Sequence, residues 1–155
     1  MVKLLLAGTG LIGHRHMQHI LEHPDLELVG IIDPLVTDEK IEGVKTYSSL
    51  SDVNKHADGI ILATPTETHA DLTIQSLEMG LHVLVEKPVA ASLLEADKMI
   101  SASEKTGLSI LVGHHRRHHP FVNETINILN SGKIGRPVAA SLMWLMRKQD
   151  EYFDV

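Results

Sequence analysis

The chain contains no cysteine, which excludes a disulfide framework and any metal site built on thiolates. Aromatic residues are scarce, at 3%, with Trp144 the only tryptophan. There is no excess of positive charge. Lys and Arg number 14 against 20 Asp and Glu, a net of −6, so nothing favours nucleic acid or an anionic membrane surface as a partner. No apolar run approaches the length of a membrane span. The N-terminal MVKLLLAGTG breaks at glycine before it could serve as a secretory core. Low-complexity tracts and long Gly/Ser linkers are also missing. What remains is a globular composition, 43% hydrophobic and 22% charged over 155 residues. That suits one domain, or one domain and part of another, in a cytoplasmic protein.

Short apolar runs recur along the chain and alternate with amphipathic stretches. Residues 2–7 (VKLLLA), 26–32 (LELVGII), 59–63 (GIILA), 82–85 and 109–112 read as buried strands, with a weaker one at 45–47. Helices are expected over about 11–23, stopped by Pro24, over 49–55, and over 67–79, ended by Gly80. A further helix begins at Ser92, with Glu95 three residues on as a capping box, and runs to about Thr106. This alternation predicts an α/β fold, a doubly wound parallel sheet covered by helices on both faces. The pattern changes after Pro120. A helix over 121–131, a turn at 132–135 and a longer strand over 137–146 (PVAASLMWLM) follow. With no partner strand after it, that last strand either pairs across a dimer or opens a second domain. The division expected is 1–119 and 120–155, the latter being the first helix and strand of an incomplete α/β domain.

GTGLIG, residues 8–13, fits G-x-G-x-x-G between a strand and a helix. In that context Gly8 makes a tight turn, Gly10 lets the backbone approach a pyrophosphate, and Gly13 lets the helix pack on the strand. The helix N-terminus, with Leu11 and Ile12, offers free N–H groups to phosphates. Asp33 ends the second strand, where a carboxylate can accept from ribose hydroxyls and repel a 2′-phosphate. Pro34 and Leu35 follow it, with no arginine, so NAD is preferred over NADP. The plainer alternative is a turn aspartate before proline. In a parallel sheet, ligands sit outside the carboxyl ends of the strands. Ala63-Thr64-Pro65, Glu86-Lys87-Pro88 and the stretch 113–119 all occupy such ends.

Together GTGLIG, ATPTETH, GLHVLVEKP and VGHHRRHHP resemble the Gfo/Idh/MocA family of oxidoreductases. The resemblance runs from residue 2 to about 144, and the EKP after G-x-H-V-L is its most specific element. It implies an N-terminal Rossmann domain and a C-terminal α/β domain with a large sheet. It implies NAD(P)-dependent hydride transfer to or from a sugar, cyclitol or related hydroxy compound, and assembly as a dimer or tetramer. By the same resemblance Lys87 lies near nicotinamide and substrate as the catalytic acid/base. Glu86 lines the cofactor pocket, and Thr64, Pro65 and His69 stand beside the nicotinamide half. His115 and Arg117 fall on the substrate side. The family pattern continues with an aspartate and a histidine about four residues apart, and this sequence ends before them. On that reading the chain is the front part of a longer enzyme.

The lysine role also has a chemical basis. Oxidising an alcohol removes a hydride and a proton, and a lysine tuned by burial and cofactor charge can carry the proton. Pro88 restricts Lys87 to extended geometry, and the Lys-Pro bond is a candidate for cis. Read from the residues alone, a solvated Glu-Lys pair at a strand end is the alternative. The chain has 11 histidines, but HHRRHH interleaves two cations, so no metal site is expected there. His16, His19 and His23 share a helix face that reads as solvated or interfacial, with His16 packing. Two rival readings are a dinucleotide sensor without turnover and an inactive fragment of the enzyme.

Overall fold

The structure, a computed structural model, describes residues 1–54, 56–143, 145 and 147. They fall into two compact units, Met1–His114 and His115–Val155.

The first unit is a seven-stranded sheet. In chain order the strands are β1 (Val2–Ala7), β2 (Leu26–Ile32), β3 (Lys40–Ile41), β4 (Val44–Tyr47), β5 (Gly59–Leu62), β6 (His82–Val85) and β7 (Ile110–Val112). Their spatial order is β3-β4-β2-β1-β5-β6-β7. All neighbours are parallel except the β3–β4 hairpin at one edge. The helices α1 (Leu11–Glu22), α2 (His69–Glu78) and α3 (Leu93–Thr106) are the crossovers. Side chains on a strand alternate faces, and the core divides accordingly. Leu5, Ala7, Ile60, Leu62, Val83 and Val85 pack on one face with Leu77 of α2 and Met99 of α3. Leu6, Leu28, Ile31 and Ile61 pack on the other with Met17 and Ile20 of α1. Helices on both faces of a parallel sheet make the doubly wound architecture that the alternation predicts.

Helix α3 starts on its expected cap. The Ser92 hydroxyl accepts from the Glu95 N–H at 3.2 Å, while the Glu95 carboxylate accepts from the Ala91 N–H at 2.9 Å. The helix expected over 49–55 is reduced to a 3₁₀ turn, Leu50–Asp52, and Lys55 lies outside the described residues. The cause is local. The Asp52 carboxylate accepts from the Ser48 and Ser49 hydroxyls at 3.0 and 2.8 Å and from the Ser49 N–H at 3.1 Å, and such bonds compete with helix propagation.

The second unit contains a 3₁₀ turn, His115–His118, and helix α4, Pro120–Asn130. Pro120 occupies the first helical position, and the His119 ring caps the helix, its Nδ1 accepting from the Phe121 N–H at 3.2 Å. The strand expected over 137–146 is not formed at residues 137–143. A strand is held by its ladder, and among the described residues none pairs with this segment. Trp144 and Met146 lie outside the described residues.

Candidate functional site

Parallel register brings four strand ends into one row. Ala7 pairs with Leu62, Leu62 with Val85, and Val85 with Val112. The ladder continues one residue further: the Ala63 N–H donates to the Ala7 carbonyl at 2.8 Å, the Glu86 N–H to Leu62 at 2.9 Å, and the Gly113 N–H to Val85 at 2.8 Å. Gly8, Ala63, Glu86 and Gly113 therefore stand side by side at the carboxyl edge. The strand order reverses between β1 and β5, the topological switch point where open α/β sheets bind ligands.

The glycine loop crosses this edge. Gly8 has φ +89°, and a Cβ there would lie 2.5 Å from the Ala63 carbonyl oxygen. Gly13 is buried against Gly8, whose carbonyl leaves no room for a side chain. Gly10 differs. Its φ is −64°, which any residue adopts, and a Cβ would meet nothing within 4 Å. The protein itself does not require glycine at position 10. The first turn of α1 beside it carries no acidic residue, which leaves its N–H groups and dipole free of a competing side-chain carboxylate.

A cleft of about 900 Å³ opens over this loop. Residues 8–12, 33–35, 48–50 and 63–65 line it, together with Glu67, Thr68, Asp71, Leu72 and Gln75. Leu11 and Ile12 expose their side chains at its mouth. Asp33 closes one side. Its Oδ2 accepts from the Thr9 N–H at 2.9 Å and the Thr9 hydroxyl at 2.5 Å, and its Oδ1 accepts from the Leu35 N–H at 3.0 Å. Burial alone would raise its pKa, but the bonds from the Thr9 hydroxyl, the Leu35 amide and the Thr9 amide together outweigh that and hold it below the ordinary carboxylate value. Of roughly four acceptor positions on a carboxylate, one on Oδ1 is left for a ligand hydroxyl. The Thr64-Pro65 turn is fixed by Thr68, whose hydroxyl donates to the Pro65 carbonyl at 2.7 Å and lies 2.7 Å from the Thr64 hydroxyl.

Glu86, Lys87 and Pro88 are outside the lining of that cleft. Glu86 is half-buried, and Gly113 makes room for it: a Cβ at Gly113 would meet the Glu86 Oε1 at 2.7 Å. Its Oε1 lies 3.0 Å from the His16 Nε2, and its Oε2 accepts from the Lys87 N–H at 3.2 Å. The His16–Glu86 contact joins the glycine-loop helix to the EKP corner across 70 residues of chain. Nothing in the local sequence signals it, since only the fold makes the two neighbours. His14, given no role from the sequence, places its Nδ1 2.7 Å from the Thr9 carbonyl oxygen and steadies the loop. The Lys87-Pro88 peptide is cis. The Lys87 side chain is exposed, so the burial expected to tune it is not supplied by its neighbours; the strand ends at Val85 and the corner turns outward. His69 is buried beneath the edge rather than facing the cleft, bonded to the Thr64 and Pro88 carbonyls. His115 and Arg117 belong to the second unit and are exposed there. Among the described residues no group of three or more His, Asp or Glu could hold a metal ion, and no helix is long and apolar enough to cross a membrane.

Comparison with known proteins agrees with this geometry. Residues 2–114 match the Gfo/Idh/MocA model, described as an oxidoreductase family with an NAD-binding Rossmann fold. A 4-carboxy-2-hydroxymuconate-6-semialdehyde dehydrogenase of Sphingobium is 31% identical over 86% of this chain and 44% of its own. The scyllo-inositol 2-dehydrogenase (NAD(+)) of Bacillus subtilis is 31% identical over 88% of this chain and 42% of its own. Among solved structures, the WlbA dehydrogenase from Bordetella pertussis, in complex with NADH and UDP-GlcNAcA, superposes with a TM-score of 0.80 at 31% identity, over 87% of this chain and 41% of that one. The chain thus spans less than half the length of the relatives it matches. By its match over residues 2–114, the chain belongs to the Gfo/Idh/MocA oxidoreductase family.

Proposed function

We propose that this chain is the dinucleotide-binding part of an NAD-dependent oxidoreductase acting on a sugar, cyclitol or related hydroxy compound. The observation that carries the reading is Gly10, a glycine the protein does not need for itself, facing a cleft closed by an ionised Asp33. The amides at the start of α1 would hold the pyrophosphate. Asp33 would accept from the adenosine ribose and disfavour NADP, since a 2′-phosphate would meet its charge with only Pro34 and Leu35 beside it. Thr64, Pro65 and Glu86 stand on the nicotinamide side. NAD, when bound, supplies the hydride acceptor at nicotinamide C4.

The chain's own part in the chemistry falls to Lys87. As the alcohol carbon gives up its hydride, the hydroxyl proton passes to the Lys87 Nζ, leaving a carbonyl; in the reverse direction Lys87 returns the proton. Because Lys87 is exposed, exclusion of water around it must come with the bound ligands. Residues 1–119 are read as the NAD-binding domain and 120–155 as the beginning of a substrate and oligomerisation domain, in a cytoplasmic dimer or tetramer. His115 and Arg117 keep their substrate-side roles as part of the proposal.

Titration with NADH and NADPH, followed by nicotinamide fluorescence, tests the binding half. NADH is expected to bind more tightly than NADPH. Turnover by the full-length protein tests the rest: Lys87→Ala should abolish it with NADH affinity retained. Tight binding with no turnover on any polyol or sugar by the full-length, two-domain protein would favour a dinucleotide sensor instead.

A further inference from the structure

His69 is the one buried histidine among the described residues, 1% exposed. Its Nδ1 lies 2.9 Å from the Pro88 carbonyl oxygen and its Nε2 lies 2.9 Å from the Thr64 carbonyl oxygen. A carbonyl oxygen only accepts. A neutral imidazole has one N–H, so it can satisfy one of these carbonyls while turning a lone pair on the other. Only a ring bearing hydrogen on both nitrogens bonds to both.

The two carbonyls belong to the two corners that flank the proposed nicotinamide position. Thr64 opens the Thr-Pro turn after β5, and Pro88 directly follows Lys87. His69 is the first residue of α2, whose Ala70, Thr73, Ser76 and Leu77 are buried, so the ring is mounted on a fixed element. We propose that His69 is a positioning residue, a doubly protonated clasp that donates one hydrogen bond to each corner and so sets the spacing between the Thr64-Pro65 turn and Lys87. Burial and the positive end of the α2 dipole oppose a charge at this place. Two charge-assisted bonds to carbonyls act in the opposite direction. The planar ring has no torsion between its nitrogens, so the spacing it imposes is rigid. The consequence for cofactor binding rests on the dinucleotide reading above; the clasp itself does not.

Nitrogen-15 NMR of the labelled protein near neutral pH reads the ring directly, with His69 assigned by through-bond correlation. The expected result is a hydrogen on each of its two ring nitrogens, slow to exchange with water. One bare ring nitrogen would overturn the clasp. In a second arm, His69→Gln can reach only one of the two carbonyls. If it folds, it should bind NADH about tenfold more weakly, the weight of one such bond. A folded variant with wild-type NADH affinity would overturn the positioning role. Should wild-type protein not bind NADH, the dinucleotide reading fails and the ring spectrum alone decides the clasp. It decides equally if the variant does not fold.

Discussion

A methyl group added at Gly8 would stand 2.5 Å from the Ala63 carbonyl, on a residue whose φ is +89°. Gly8→Ala should therefore cost about 1–3 kcal/mol of folding stability, read as a lower midpoint in thermal or urea unfolding. Asp33 gives a second test at this scale. Its pKa is lowered in the fold, so its contribution to stability is fully present above the ordinary value of 3.8 and is lost as pH falls through the folded value. Between pH 5 and 8 Asp33 should add no slope to the stability curve, and Asp33→Asn should flatten only the acid limb below about pH 4. The same substitution removes the charge facing a 2′-phosphate. Its NADPH affinity should rise relative to NADH, and an unchanged ratio would remove Asp33 from the account of cofactor choice.

At the level of elements, the His16–Glu86 contact ties α1 to the end of β6, and Gly113 at the end of β7 leaves the space Glu86 occupies. Gly113→Ala should push the carboxylate off His16. The effects of Gly113→Ala and His16→Ala on unfolding free energy should then fall short of additive in the double variant; full additivity would show that the two are independent. Helix α3 offers a simpler case, for Ser92→Ala removes its cap and should cost about 1 kcal/mol. Much of this architecture could be read from the sequence. The buried strands are continuous apolar runs, and their alternation with helices dictates a parallel sheet. The short β3 could not be read so. Its hairpin turns through Glu42 and Gly43, both with positive φ, and glutamate in place of Asn or Asp hides the turn signal. In the site, the glycine loop and Asp33 are local patterns and were legible. The contacts of His16 with Glu86 and of His69 with Pro88 were not, because each pair is brought together by chain crossing the sheet.

Across the whole first unit, the sheet order and the position of the cleft agree: the glycine loop, Asp33 and the Thr-Pro turn meet at the switch point, and Lys87 stands at the next strand end along the edge. The chain's relatives are more than twice its length, so substrate choice and assembly belong to the proposal, whereas dinucleotide binding can be examined directly on this chain. Gly10 separates fold from function most cleanly, being the loop glycine with an ordinary φ and open space around it. The decisive measurement is NADH affinity of Gly10→Ala beside its thermal unfolding midpoint. The account predicts a midpoint shifted by no more than about 0.5 kcal/mol in stability and NADH binding weakened at least about tenfold, since the added methyl would stand where the pyrophosphate approaches. Wild-type NADH affinity in a stably folded Gly10→Ala would contradict it.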